Sequence, residues 1–171
     1  MNGFLLIIPL LLIRYVLLYV LDKKSLKRAA FIPPMFGIQK ALYWIYQIST
    51  LSLVFYPFFL RIRMTSLWLF GLVLYGVGAA LCFISTFNFA RPTETGINRK
   101  GLYRVSRNPM YTAYFIYFLG CAFLTRSLIL LMILAVFQIS THWIILSEEE
   151  WCKERYGDEY IQYMKKVRRY M

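Results

Sequence analysis

Leu128-Ile-Leu-Leu-Met-Ile-Leu-Ala-Val-Phe-Gln-Ile-Ser-Thr-His-Trp-Ile-Ile-Leu146 runs for 19 residues without a charged side chain. A helix needs roughly 20 apolar residues to cross the hydrocarbon core of a bilayer, so this run reads as a membrane span. Working backwards, Met110–Leu124 is a second apolar run, separated from the first by Thr125-Arg126-Ser127. At about 1.5 Å per residue it reaches only about 22 Å, which pairs it with Leu128–Leu146 as a tight helical hairpin. Further upstream lie Ser66–Phe89, Ala41–Leu60 and Gly3–Leu21, the last interrupted only by Arg14. Gly71, Gly76 and Gly78 are expected to let neighbouring helices approach closely. Pro33-Pro34 breaks any helix between the first two runs.

The fold class that follows is an all-α polytopic membrane protein of about five transmembrane helices. It forms a single membrane-embedded domain over residues 1–171. Composition agrees: the chain is 60% hydrophobic, more than a soluble domain of 171 residues could hide from water. The start Gly3–Leu21 lacks the charged opening and small-residue cleavage site of a signal peptide, and reads as a retained first span.

Net charge is +12, which by itself would suit nucleic acid. The charges instead sit in short clusters between apolar runs, so no nucleic-acid partner is expected. Sixteen of the 20 Lys and Arg fall after the first span, in Ala90–Asn108 or in the tail, while Arg61, Arg63 and Arg126 fall on the other side. Positive residues stay in the cytoplasm, so the N-terminus is expected outside and the C-terminus in the cytoplasm of a cell membrane. Cys82, Cys121 and Cys152 have neither metal-ligand spacing nor a disulfide pattern, and Cys82 and Cys121 read as small lipid- or helix-facing residues. No metal is expected.

Two constellations could carry chemistry. The first is Gly101-Leu-Tyr-Arg-Val-Ser-Arg-Asn-Pro-Met-Tyr111. Asn108-Pro109 is a helix start, because Asn caps and Pro suits the first turn. A helix start can also hold an anion. The second is a polar stripe on the last span, Gln138, Thr141, His142, Glu148 and Glu149, at helical spacing. Such a stripe faces a protein interior or wet cavity rather than lipid. His142 reads first as a packed, hydrogen-bonded residue. Aromatic rings, an amide, a helix N-terminus and carboxylates together suit a zwitterion that carries a cation, as S-adenosylmethionine does.

Both segments resemble one family. Gly101–Tyr111 is similar to the G-x-Y-x-x-x-R-H/N-P-x-Y signature of the isoprenylcysteine carboxyl methyltransferase and phospholipid methyltransferase superfamily. Glu148-Glu-Glu-Trp-Cys-Lys-Glu-Arg-Tyr-Gly-Asp-Glu-Tyr-Ile-Gln-Tyr163 resembles its E-E-(x)7-F/Y-G-x-E-Y-x-x-Y ending. The resemblance implies an S-adenosylmethionine-dependent methyltransferase whose cofactor-binding region covers residues 88–163. Its lipophilic acceptor would arrive through membrane lipids. It implies cofactor contacts from Tyr103, Asn108, Pro109, Met110, Tyr111 and Glu148, and from the upstream residues Thr95, Gly96, Ile97 and Asn98, with Asn88 as a further candidate. Where the acceptor is an amine, Glu149 or a water is the expected general base. Asn108 stands where isoprenylcysteine enzymes carry His, and Ile144 where they carry a substrate arginine. A lipid amine is therefore as expected an acceptor as an isoprenylcysteine-like molecule. Two other readings remain at this point: a membrane reductase of the sterol-reductase type using a nicotinamide cofactor, and a non-enzymatic scaffold. The sequence leaves oligomeric state open.

Overall fold

The computed structural model describes residues 1–31, 33–35, 37–91 and 96–171. Among these, every long element is helical and no strand occurs. Helix α1 spans Gly3–Leu21, with a π-wound stretch over Leu12–Leu17 between α-helical ends. Asn2 starts it by accepting a hydrogen bond from Phe4 N at 2.8 Å. A short helix α2, Lys23–Ala29, turns back beneath the bundle. Helix α3 is Ile38–Phe55, α4 is Trp68–Phe89, α5 is Pro109–Thr125, α6 is Leu128–Tyr156 and α7 is Asp158–Lys166.

Three helices, α1, α4 and α6, are long and apolar enough to cross a membrane. Helix α5 is apolar but shorter, with 17 residues. Gln39, Lys40 and Gln47 dilute the apolar character of α3. Instead of running on to Leu60, α3 tightens at Tyr56 into a 3₁₀ turn around Pro57, which has no N–H to continue the α-helical ladder.

Large apolar side chains such as Trp44, Ile48, Leu69, Val73, Leu128, Met132 and Ile139 point outward, and most are more than half exposed. That would be a liability in water and is ordinary against lipid. The interior holds Ile7, Leu53, Cys82, Ala113, Tyr117, Cys121, Leu134 and Phe137, so both membrane-embedded cysteines face other helices.

The contact between α4 and α5 is a close backbone approach. A Cβ placed on Gly78 would lie 2.5 Å from Tyr117 Cα, and one on Gly71 would lie 2.9 Å from Phe123 Cβ. Gly120 meets the backbone of Tyr75 from the other side. Gly76 departs from expectation: nothing lies within 4 Å of its would-be Cβ. It is two residues from Gly78 and therefore on a different face of the helix.

The two ends of the bundle are distinct. At one end the chain start, the α3–α4 linker and the α5–α6 turn are tied together. Gly3 N donates to Leu60 O at 2.8 Å, Ile62 N to Met1 O at 2.9 Å, and Arg63 N to Leu124 O at 2.9 Å. The hairpin turns at Arg126 in the left-handed conformation (φ 50°), and Ser127 caps α6 by accepting from Leu130 N at 3.2 Å. At the other end α2 lies under α4. Arg28 donates to Phe89 O at 3.2 Å and Ser25 Oγ to Ala90 O at 3.3 Å, satisfying carbonyls at a helix C-terminus. The α6 helix runs ten residues beyond Leu146, because Glu148–Arg155 contains no breaker. It stops at Gly157, whose φ of +54° suits glycine.

Candidate active site

The predicted residues gather at the α2 end. Asn108 sits at the start of α5 but does not cap it: its side chain accepts nothing from the first turn. Its Nδ2 instead donates to the Arg169 carbonyl at 3.3 Å, and its backbone N donates to Ser106 Oγ at 3.1 Å. Pro109 takes the first helical position and is buried. Met110, one step on, is buried with its sulfur 3.4 Å from Arg14 Nη1.

Tyr111 joins the two motifs. Its hydroxyl donates to Glu148 Oε1 at 2.9 Å, from α5 to α6. Tyr46 of α3 closes the same spot, 6.5 Å from the Tyr111 ring and stacked on Phe137 at 5.6 Å. Glu148 Oε2 makes no hydrogen bond among the described residues.

Glu149, next along the helix, has a different environment. Its side chain is 3% exposed and both oxygens are held by arginine. Arg107 Nη2 lies 2.9 Å from Oε1, and Arg169 Nη2 lies 2.9 Å from Oε2. Arg107 also donates to the carbonyls of Met164 at 2.9 Å and Val167 at 3.0 Å. Hydrogen bonding to Glu149 raises the Arg169 pKa above its ordinary value. The clamp ties the start of α5, the end of α6 and residues 164–169 into one unit. Sequence reasoning treated these arginines as orientation charges. Arg107 lies inside the quoted motif, and a buried acid two helices away was the partner to look for.

The tail after α7 folds over the start of α5. Arg107 N donates to Arg168 O at 2.8 Å, and Ser106 Oγ donates to Arg169 O at 3.1 Å. Tyr170 reaches α6, its hydroxyl 2.7 Å from His142 Nδ1, so His142 is a packed residue that anchors the tail. The polar stripe is thus divided: Glu148 goes to Tyr111, Glu149 to the arginines and His142 to Tyr170. Gln138 Oε1 and Thr141 Oγ1 are buried without a hydrogen-bond partner among the described residues.

Thr95 lies outside the described residues. Gly96 has φ +86° and faces the Tyr156 hydroxyl, 3.3 Å from its would-be Cβ. Ile97 is buried against Tyr160 and Tyr163 of α7. Tyr103 is buried, and its carbonyl accepts from Tyr163 Oη at 2.6 Å. Burial pushes the Tyr163 phenol up to about 12, so the hydroxyl remains a donor. Asn98 Oδ1, Arg99 Nε and Asn88 Nδ2 are buried with no hydrogen-bond partner among the described residues. Buried polar atoms are ordinarily paired, and the rest of the Arg99 guanidinium is: its Nη2 lies 3.0 Å from Glu159 Oε1 and donates to the Glu159 carbonyl at 3.0 Å. A concavity lined by Thr65, Phe123, Arg126 and Leu131 among others lies at the opposite end of the bundle and takes no part in this site.

An all-helical membrane bundle has here brought two distant polar motifs together at one end, around an acid, a phenol and unpaired amides. Residues 60–159, more than half the chain, match the family model of phospholipid methyltransferase. The chain belongs to that family and is a membrane methyltransferase. Comparison with curated proteins finds no match.

Proposed function

We propose that this chain transfers a methyl group from S-adenosylmethionine to a lipophilic acceptor that arrives through the bilayer. The acceptor is a lipid amine or an isoprenylcysteine-like molecule. The protein would lie in the cell membrane with five crossings, its N-terminus outside and its C-terminus in the cytoplasm. The observation that carries the reading is the Tyr111–Glu148 hydrogen bond at 2.9 Å, which joins the last residue of one motif to the first of the other. The unpaired Asn88, Asn98 and Arg99 atoms support it, since a ligand rich in hydroxyl, amino and carboxylate groups would satisfy them.

When bound, S-adenosylmethionine supplies an already activated methyl group on a sulfonium. The protein's part is chiefly proximity and alignment. In this reading Asn88, Asn98 and Tyr103 would hold the polar ends of the donor, and Met110 and Tyr111 would wall it. The Glu148 oxygen that Tyr111 leaves free would orient a cation or take a proton from an amine acceptor. Glu149 serves differently: with two guanidinium groups on its oxygens it fixes Glu148 and the tail in register. The base assignment therefore passes from Glu149 to Glu148.

Calorimetric binding of S-adenosylhomocysteine to the detergent-purified protein tests this. Micromolar affinity that falls in Glu148→Gln and Tyr111→Ala is the expected result. No binding to a folded, monodisperse protein would overturn the proposal.

A further inference from the structure

Arg14 is the one charged residue in the 19-residue span Gly3–Leu21. It lies seven residues from Leu21, about 10 Å inside that end of the helix. A charge at this depth is expensive and is retained for a task. The helix changes winding around it: Leu12–Leu17 is π-wound, between α-helical turns on both sides. Such single-turn departures are frequent at functional sites, because they re-aim a side chain.

The guanidinium is under-satisfied. Nη2 donates to Ala29 O at 2.9 Å, Nη1 meets the Met110 sulfur at 3.4 Å, and the group lies 5.9 Å from the Tyr114 ring centroid. Among the described residues no carboxylate lies within 4.0 Å of it. Five N–H donors therefore meet one carbonyl and a weak sulfur acceptor among the described residues, and the Glu148 carboxyl acts on the charge only from beyond contact distance. Buried charges are ordinarily paired. The contact with Met110 puts this cation one residue from Tyr111, on the membrane side of the site. The unpaired Asn98 and Arg99 atoms, suited to the donor, belong to the loop between α4 and α5.

We infer that Arg14 anchors an oxyanion of the lipid acceptor, a phosphodiester or a carboxylate, so that the group to be methylated is presented beside Tyr111 and Glu148. A planar guanidinium suits either oxyanion in a two-pronged contact. The inference rests on the methyltransferase reading for the identity of the site. It lies outside the residues matched by the family model, which begin at residue 60.

The test uses full-length protein in detergent, with Arg14→Gln and Arg14→Lys, and Arg126→Gln as a control from the other end of the bundle. Native mass spectrometry reads retention of three probes: dioleoyl phosphatidylethanolamine, farnesylcysteine and octadecylamine. Calorimetry with S-adenosylhomocysteine runs in parallel on every variant. Retention of one oxyanion probe is expected to fall about tenfold in Arg14→Gln and less in Arg14→Lys, as for loss of a charge-assisted contact. Octadecylamine retention and S-adenosylhomocysteine affinity should stay within about twofold of wild type, a change of under half a kcal/mol. Which oxyanion probe responds identifies its source. Equal retention by wild type and Arg14→Gln, or no retention by wild type, overturns the inference. So does a parallel loss of S-adenosylhomocysteine, which would give Arg14 to the donor's carboxylate. If wild type binds no S-adenosylhomocysteine but loses the lipid with Arg14, the methyltransferase proposal fails and the anchor stands.

Discussion

Replacing Glu149 by Gln separates a structural carboxylate from a catalytic one. The Glu149 side chain is 3% exposed and Arg107 is 8% exposed, so their 2.9 Å pair is effectively buried. Removing one member of such a pair leaves the other charge uncompensated and costs about 3–5 kcal/mol. Gln keeps one acceptor oxygen, which sets Glu149→Gln near the lower end, about 3 kcal/mol. Arg169 is 32% exposed, so its share is screened by solvent and Arg169→Gln should cost about 1 kcal/mol or less. Arg107→Gln should cost at least as much as Glu149→Gln, because Arg107 also holds the carbonyls of Met164 and Val167. Unfolding in SDS followed by tryptophan fluorescence would rank the three variants, and the Arg107/Glu149 double variant would give the coupling directly. Near-additive costs for that pair would refute the clamp. So would a Glu149→Gln protein with wild-type stability and no turnover, which would restore Glu149 as the base.

Tyr111→Phe removes only the hydroxyl that Glu148 accepts; a hydrogen bond to a charged group is worth about 1.5–3 kcal/mol, so calorimetry should show S-adenosylhomocysteine binding weakened by at least about tenfold with the fold intact. Gly78→Ala pushes a methyl against the Tyr117 backbone and should destabilise the α4–α5 contact by about 1–3 kcal/mol in the same SDS titration, whereas Gly76→Ala should be close to neutral. Tyr170→Phe breaks the bond to His142 and should raise the hydrogen exchange of residues 167–170 without moving the unfolding midpoint by more than about 1 kcal/mol. Single cysteines at Met64 and Lys166 should react with a membrane-impermeant maleimide from opposite sides in intact cells, Met64 from outside; reversed labelling would refute the proposed orientation.

The helices were legible because lipid imposes length and apolarity directly: α4, α5 and the start of α6 lie within two residues of the apolar runs that announced them. The far end of α6 was not legible from hydropathy. A helix leaving the membrane keeps its hydrogen bonds in water, so only Gly157 stops it. Tyr111 and Glu148 were both named by the motifs, as cofactor contacts, but that they meet each other needed the fold. The division of labour between Glu148 and Glu149 was not legible: adjacent residues on a helix point about 100° apart, and what each meets depends on a tail some 20 residues on. Arg14 stood out as a charge in a span, but its contact with Met110 joins positions 96 residues apart and needed the fold.

The tail over α5 also sets an order of events. Asn108 waits for a carbonyl 61 residues further along the chain, and Arg107 for one 60 residues on. The hairpin that presents Tyr111 to Glu148 is complete once α6 has emerged. Until residues 164–169 follow, Arg107 and Glu149 have only each other in a half-built interface. Closure is therefore a late step, completed only when the C-terminal segment arrives.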